Sequence, residues 1–139
     1  MIQQVLIAYD GSEAAKKALN FANELTSRFN ARLHIVAVCQ PPEFGDEVET
    51  EAVVERSRAH HNHMLKILKH HQQASEHPPV IQVVIGHPAE QIVRYAEANA
   101  IDHIVVGHRG HSIFERWLLG SVARQVIDHA PCAVTVIRG

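Results

Sequence analysis

IVVGHRGHSIFERWLLGSVARQVIDHAPCAVTVI, residues Ile104 to Ile137, decides how the rest of the chain is read. It opens with the apolar run Ile104-Val105-Val106, which predicts a strand ending at Gly107. Gly110 and then Gly120-Ser121 follow, and a helical pattern runs from Phe114 or Trp117 to His129. Pro131 stops that helix, and a β-branched run from Cys132 to Ile137 predicts another strand. Strand, glycine-punctuated loop and helix in this order can cradle a phosphate. Glycine lets the backbone approach a ligand with its N–H groups turned inward. The helix start adds unpaired donors and the positive end of the helix dipole. Ser121 can cap that helix or offer its hydroxyl to a phosphate oxygen. The plainer alternative is that Gly107 ends a strand, Gly110 makes a turn and Gly120 allows close packing. The spacing is neither G-x-G-x-x-G nor a P-loop, which needs G-K-[ST].

Outward from this stretch, strands and helices alternate. Val5 to Ala8 is a short apolar run closed by Tyr9-Asp10-Gly11-Ser12. Ser12 is placed to cap a helix whose apolar positions Ala15, Ala18, Leu19, Ala22, Leu25 and Phe29 recur at helical spacing. Leu33 to Cys39 predicts a second strand and Val80 to Ile85 a third, the latter closed by Gly86-His87-Pro88. Between them lie a loop from Glu43 to about Thr50, a long polar helix from Glu51 to about Gln73, and a breaker from Ser75 to Pro79. Ala89 to Asn99 is helical, with Pro88 suited to its first turn, and Ile101 to Val106 is the fourth strand. Alternating β and α elements predict an α/β fold: a five-stranded parallel sheet with helices on both faces, in three layers. Ligands of such folds bind beyond the carboxyl ends of the strands where strand order reverses, so Asp10-Gly11-Ser12 and the loop from Gly107 to Gly110 can share one crevice.

Composition narrows the function. At 139 residues the chain predicts one domain, residues 1–139. A net charge of -2 gives no basic footprint for nucleic acid, so no nucleic-acid partner is expected. No apolar stretch approaches the roughly 20 residues needed to span a bilayer, and no secretory leader is evident, so a cytoplasmic protein without membrane insertion is expected. Two cysteines, Cys39 and Cys132, read as buried thiols in a reducing compartment. His60, His61, His63, His70 and His71 gather on the long polar helix. Of these, His60 and His63 have ligand spacing, so a solvated, titratable face is expected, with a loosely held metal as the alternative.

Gly107-x2-Gly110-x9-Gly120-Ser121 resembles the glycine signature of the universal stress protein family. Ile2 to Ser12 resembles that family's first strand and loop, His129 to Arg138 its closing strand, and Gly86-His87-Pro88 its third-strand exit. The similarity runs through the chain except for roughly Pro41 to Val80. It implies a Rossmann-like fold of the adenine nucleotide alpha hydrolase kind and a stress-response protein of the ATP-binding branch. ATP with Mg2+ or Mn2+ would order the loop from Gly107 to Gly120, as a nucleotide-dependent switch. It also implies a homodimer joined through the last strand, at Ala133, Val134, Thr135, Val136 and Ile137. That run would be an unprotected sheet edge if left single, which gives dimerisation a physical motive.

The candidate nucleotide site takes residues from both motifs. Asp10 can accept from a ribose or help hold a metal beside phosphates; otherwise it makes an Asx-turn or caps a helix. By resemblance it belongs to the nucleotide pocket together with Ala8 and Tyr9. The backbone near Val38 would meet the adenine by the same resemblance, and simple core packing is compatible with that role. Arg109 can pair with phosphate oxygens or stay solvated. His108 and His111 flank it, and the family often carries a small hydroxyl residue where His108 stands. Gly110, Gly120, Ser121 and Val122 complete the site, the last three supplying backbone N–H groups and a hydroxyl as the resemblance implies. No catalytic motif such as G-x-S-x-G, H-E-x-x-H or C-x-x-C occurs, and no residue stands out as a general base. A binding role is therefore favoured, with weak ATP hydrolysis at most. Two rivals stay open: an enzyme of slow ATP hydrolysis or of phosphoryl or nucleotidyl transfer, and a dimeric interaction protein that binds no nucleotide. A protein partner is expected but not identified.

Overall fold

The computed structural model describes residues 1–39, 51–52, 54–56, 58–59, 61–63, 66, 77–108 and 120–138. Five strands alternate with helices: β1 (Gln4–Ala8), α1 (Glu13–Phe29), β2 (Arg32–Cys39), β3 (Val80–Ile85), α2 (Pro88–Ala98), β4 (His103–His108), α3 (Ser121–His129) and β5 (Ala133–Arg138). The described residues between 51 and 66 are helical as well. The strands form one sheet in the order β3-β2-β1-β4-β5, and every described pairing is parallel. The chain thus winds outward on one side of β1 and, after crossing back, outward on the other.

The apolar runs become strands because both faces of the central sheet are covered. Val5 and Ile7 point to the side of α1 with Leu33, Ile35 and Val105. Leu6 points to the opposite side with Val36, Ile104 and Val106, against Ile92 of α2 and Val126 of α3. Small residues let α1 lie close: Ala14, Ala15, Ala18 and Ala22 are all buried on its inner face. Its ends match the local chemistry. The Ser12 hydroxyl accepts the Ala15 amide at 3.1 Å. Asn30, at φ 52°, ends the helix in the left-handed region that asparagine tolerates.

Several boundaries differ from the sequence reading. β4 starts at His103, because Ile101 donates its amide to Ala96 and belongs to the turn after α2. It also runs through Gly107 to His108, where β5 continues the ladder opposite Ile137 and Arg138. A glycine does not end a strand whose partner is still present. β5 starts at Ala133, which leaves Cys132 before the strand and partly exposed, whereas Cys39 is buried as expected. The described part of the fourth predicted helix runs from Ser121, and its N-cap is Gly120, not Ser121. The part predicted before Gly120 lies outside the described residues.

Polar side chains close the amino end of the sheet. Asp102 accepts the amides of Gln3 and Gln4 on one carboxylate oxygen, at 2.8 and 3.0 Å. His34 is buried between the Tyr95 hydroxyl (2.8 Å from Nδ1) and the Gln4 side-chain carbonyl (2.7 Å from Nε2). The amide oxygen can only accept, so Nε2 carries the proton and Nδ1 accepts from Tyr95. Burial, helped by the Arg32 charge, pushes the His34 pKa below its usual value.

Candidate functional site

A cleft of about 450 Å3 opens beyond the carboxyl ends of β1, β2 and β4. It lies at the strand-order reversal around β1, where a doubly wound sheet leaves a crevice between outgoing chains. Its volume falls within the roughly 300–1,000 Å3 typical of small-molecule sites.

The cleft has an apolar wall and a polar end. Val36 and Val38 of β2, Ile92 of α2 and Val106 of β4 supply branched aliphatic surface, with Ala8, Ala15 and Pro88 beside them. Such a wall can take the faces of a planar base. Asp10 and Ser12 line the β1 side. The Asp10 carboxylate accepts the Ser12 amide at 2.9 Å, the Asx-turn foreseen as an alternative role for this residue. Gly11 sits within that turn at φ 81°, in the left-handed region that glycine enters without strain.

The opposite end is the start of α3. Gly120, Ser121, Val122 and Ala123 all line the cleft. Gly120 is the N-cap and offers no side chain, while its carbonyl accepts the Arg124 amide at 3.0 Å. Its own amide donates to His108 Nδ1 at 2.8 Å. The next three amides, of Ser121, Val122 and Ala123, fall in the first turn, where a helix has no internal partner for them. Among the described residues no partner for them is found. An anion fits this end, since unpaired N–H groups and the helix dipole both favour negative charge.

Gly107 is needed for a different reason from the one its spacing suggested. A Cβ there would lie 2.8 Å from the Ala14 carbonyl carbon and 2.9 Å from its oxygen. The glycine therefore seats α1 directly on β4, and in doing so it helps shape the cleft floor. A Cβ on Gly120 would meet only His108 Nδ1, at an ordinary 3.6 Å.

Of the expected nucleotide-site residues, Ala8, Tyr9, Asp10, Val38, Gly107, Gly120, Ser121 and Val122 line this cleft together. Arg109 and Gly110 lie outside the described residues. Tyr9 is otherwise part of the core on the α1 side, and its amide is held by the Val36 carbonyl at 2.9 Å. Ala133 to Ile137 form the edge strand β5, apart from the cleft, and Thr135 is bonded there to His103 at 2.7 Å. Val36, Ile92 and Val106 were not singled out. Val36 shares a strand face with Val38, two residues on, so strand alternation carried that signal. A further pairing was invisible in sequence: the Cys39 thiol lies 3.0 Å from His61 Nδ1. Burial raises the Cys39 pKa, which favours the protonated thiol. His60, His70 and His71 lie outside the described residues. Among the described ones no group of three or more His, Cys, Asp or Glu side chains is set for a metal. No described helix is long and apolar enough to cross a membrane.

Known proteins share both sequence and architecture. Residues 1–138 match the model of the universal stress protein family. Universal stress protein MJ0531 of Methanocaldococcus jannaschii is 35% identical over 144 residues, covering 99% of this chain and 83% of that protein. The structure of universal stress protein UspA from Lactobacillus plantarum superposes with a TM-score of 0.82 at 29% identity, covering 98% of this chain and 97% of that one. A universal stress protein solved in complex with cAMP shares the fold, with a TM-score of 0.74 at 23% identity over 97% of this chain and 96% of that one. A family match over residues 1–138, a relative sharing a third of its residues and a shared fold all agree, and the chain belongs to the universal stress protein family.

Proposed function

We propose that this chain binds an adenine nucleotide in the cleft, with ATP as the ligand, and acts as a nucleotide-dependent stress-response switch in the cytoplasm. The observation that carries this reading is the pairing, within one cleft, of an aliphatic wall with an uncapped helix start. The adenine packs beside Val36, Val38 and Ile92. The phosphates meet the amides of Ser121, Val122 and Ala123, and Asp10 faces the ribose. That a fold relative was solved with cAMP is in keeping with this division.

Asp10 is the one carboxylate among the described residues of the lining. Mg2+ or Mn2+ would therefore be held mainly through the phosphates, with Asp10 as the protein oxygen ligand at hand, and would neutralise phosphate charge there. The chain works as one domain and as a homodimer through the exposed edge of β5, so ordering of the cleft by nucleotide is passed to a partner-binding surface. Sedimentation at micromolar concentration should show a dimer, and a monomer would remove that part of the proposal.

The deciding experiment is to purify the protein without added nucleotide, denature it, and run the supernatant on ion exchange with detection at 260 nm. Near-stoichiometric ATP is expected. No co-purifying nucleotide, together with no thermal shift in millimolar Mg-ATP, overturns the proposal.

A further inference from the structure

We propose that His108 is a positioning residue for the phosphate end of the cleft: it ties down the amide of Gly120 and so holds the next three amides open towards the ligand. This inference rests on the nucleotide reading above and concerns how that site is kept ready.

A helix start leaves four amides without internal partners, and the usual local remedies come from the N-cap side chain and the residue at N3. Neither is available here. The N-cap is Gly120, which has no side chain, and N3 is Ala123, which has no acceptor to reach back with. The acceptor arrives instead from another element. His108 ends β4, and its Nδ1 takes the Gly120 amide at 2.8 Å. To accept an N–H bond there, the neutral ring must carry its proton on Nε2.

Two features make this bond a positioning device. His108 is only 4% exposed, so water has little access to its ring. Gly120 is also held from its other side, since its carbonyl takes the Arg124 amide. The first residue of the turn is thus fixed at both backbone groups, one bond to the helix and one to the sheet. Ser121, Val122 and Ala123 follow in the first turn and line the cleft. Donors held in place before a ligand arrives bind it more tightly than donors that must first be ordered.

The test compares His108→Leu, which keeps bulk without an acceptor, with His108→Asn, whose side-chain oxygen can stand in for Nδ1. In the ligand-free protein, Gly120 amide exchange should be slow in wild type and in His108→Asn, and at least about tenfold faster in His108→Leu. In titrations with adenosine, AMP and Mg-ATP, His108→Leu should lose roughly tenfold for ATP and less than about twofold for adenosine, with His108→Asn recovering most of the ATP loss. Equal losses for adenosine and ATP would mean general packing damage and overturn the proposal. So would fast Gly120 exchange with unchanged ATP affinity, or exchange unchanged in His108→Leu. If His108→Leu does not fold, His108→Asn decides: it must keep ATP affinity near wild type, and a loss confined to phosphate-bearing ligands despite slow exchange overturns the role assigned to Nδ1. If wild type binds none of the three ligands, the nucleotide reading itself has failed and the phosphate role falls with it. The exchange data then show separately whether the His108–Gly120 bond exists.

Discussion

At the start of α1 the Ser12 hydroxyl accepts the Ala15 amide at 3.1 Å, and the Asp10 carboxylate accepts the Ser12 amide at 2.9 Å. At the start of α3 the N-cap is Gly120, and its amide leans on His108, a side chain from the preceding strand. Both starts border the same cleft. One has spent two of its first four donors on its own loop. The other has given up one donor to the sheet and left three facing the cleft. The same element of fold can thus serve as a closed structural corner or as an anion site, and a single atom, a serine Oγ, makes much of the difference.

The largest effect is expected where the two corners share a wall. Gly107→Ala puts a methyl group 2.8 Å from the Ala14 backbone, which has no side-chain freedom to yield. α1 must move off β4, and destabilisation of about 2 kcal/mol should follow in urea unfolding. Nucleotide affinity should fall too, since the cleft floor moves. A variant as stable as wild type would show that α1 is not seated on Gly107, and that the two corners do not share this support.

Next come the caps themselves. Ser12→Ala removes the hydroxyl that satisfies Ala15 and should cost about 1 kcal/mol of stability. Its effect on Mg-ATP binding should stay within about threefold, because the open donors are on the other helix. Gly120→Ser is the converse. A Cβ there has room, and a hydroxyl at the N-cap would take a first-turn amide for itself. Stability should rise by a few tenths of a kcal/mol while ATP affinity drops by roughly three- to tenfold. If Ser12→Ala harms ATP binding more than Gly120→Ser does, the assignment of closed and open corners is reversed.

The closed corner was legible in sequence and the open one only in outline, for a physical reason. Ser12 caps residues three positions away, so its role is local and shows as a serine before a helical pattern. Likewise β1, β2 and β3 are buried on both faces or packed in the sheet, so their apolar runs announced them. Gly107 was noticed, but its reason was not: the Ala14 backbone that forbids a side chain comes from the first crossover. His108 was noted for its bulk near the phosphates, and its bond to Gly120 crosses twelve residues. Cys39 and His61 meet across a longer gap still. Contacts set by tertiary packing leave no periodic trace. The boundary error at β4 has the same origin, since the ladder to β5 outvotes the glycine that seemed to end the strand.

The finest test of the contrast is whether acid leaves it unchanged. His34 is joined to Gln4 and Tyr95, and His103 to Thr135, and neither group touches a helix start at the cleft. Burial lowers the pKa of both below 6.5; Asp102 partly offsets the shift for His103. A base with a lowered folded pKa takes up its proton first in the unfolded chain. Its stabilising contribution is therefore whole above pH 6.5 and is lost as pH falls through the folded value. Unfolding at pH 7.5 and in steps down to pH 5 should show stability declining by at most about 1.4 kcal/mol per pH unit for each histidine. The decline should be the same in wild type, Ser12→Ala and Gly120→Ser, because the network sits on β1, β2, β4, β5 and α2 and not at either corner. A stability gap between the two variants that widens or closes with acid would mean that His34 and His103 do not set the decline alone, and that Asp10 or His108, the ionisable side chains bonded at the two helix starts, contributes to it. The contrast between them would then be one of charge as well as of capping.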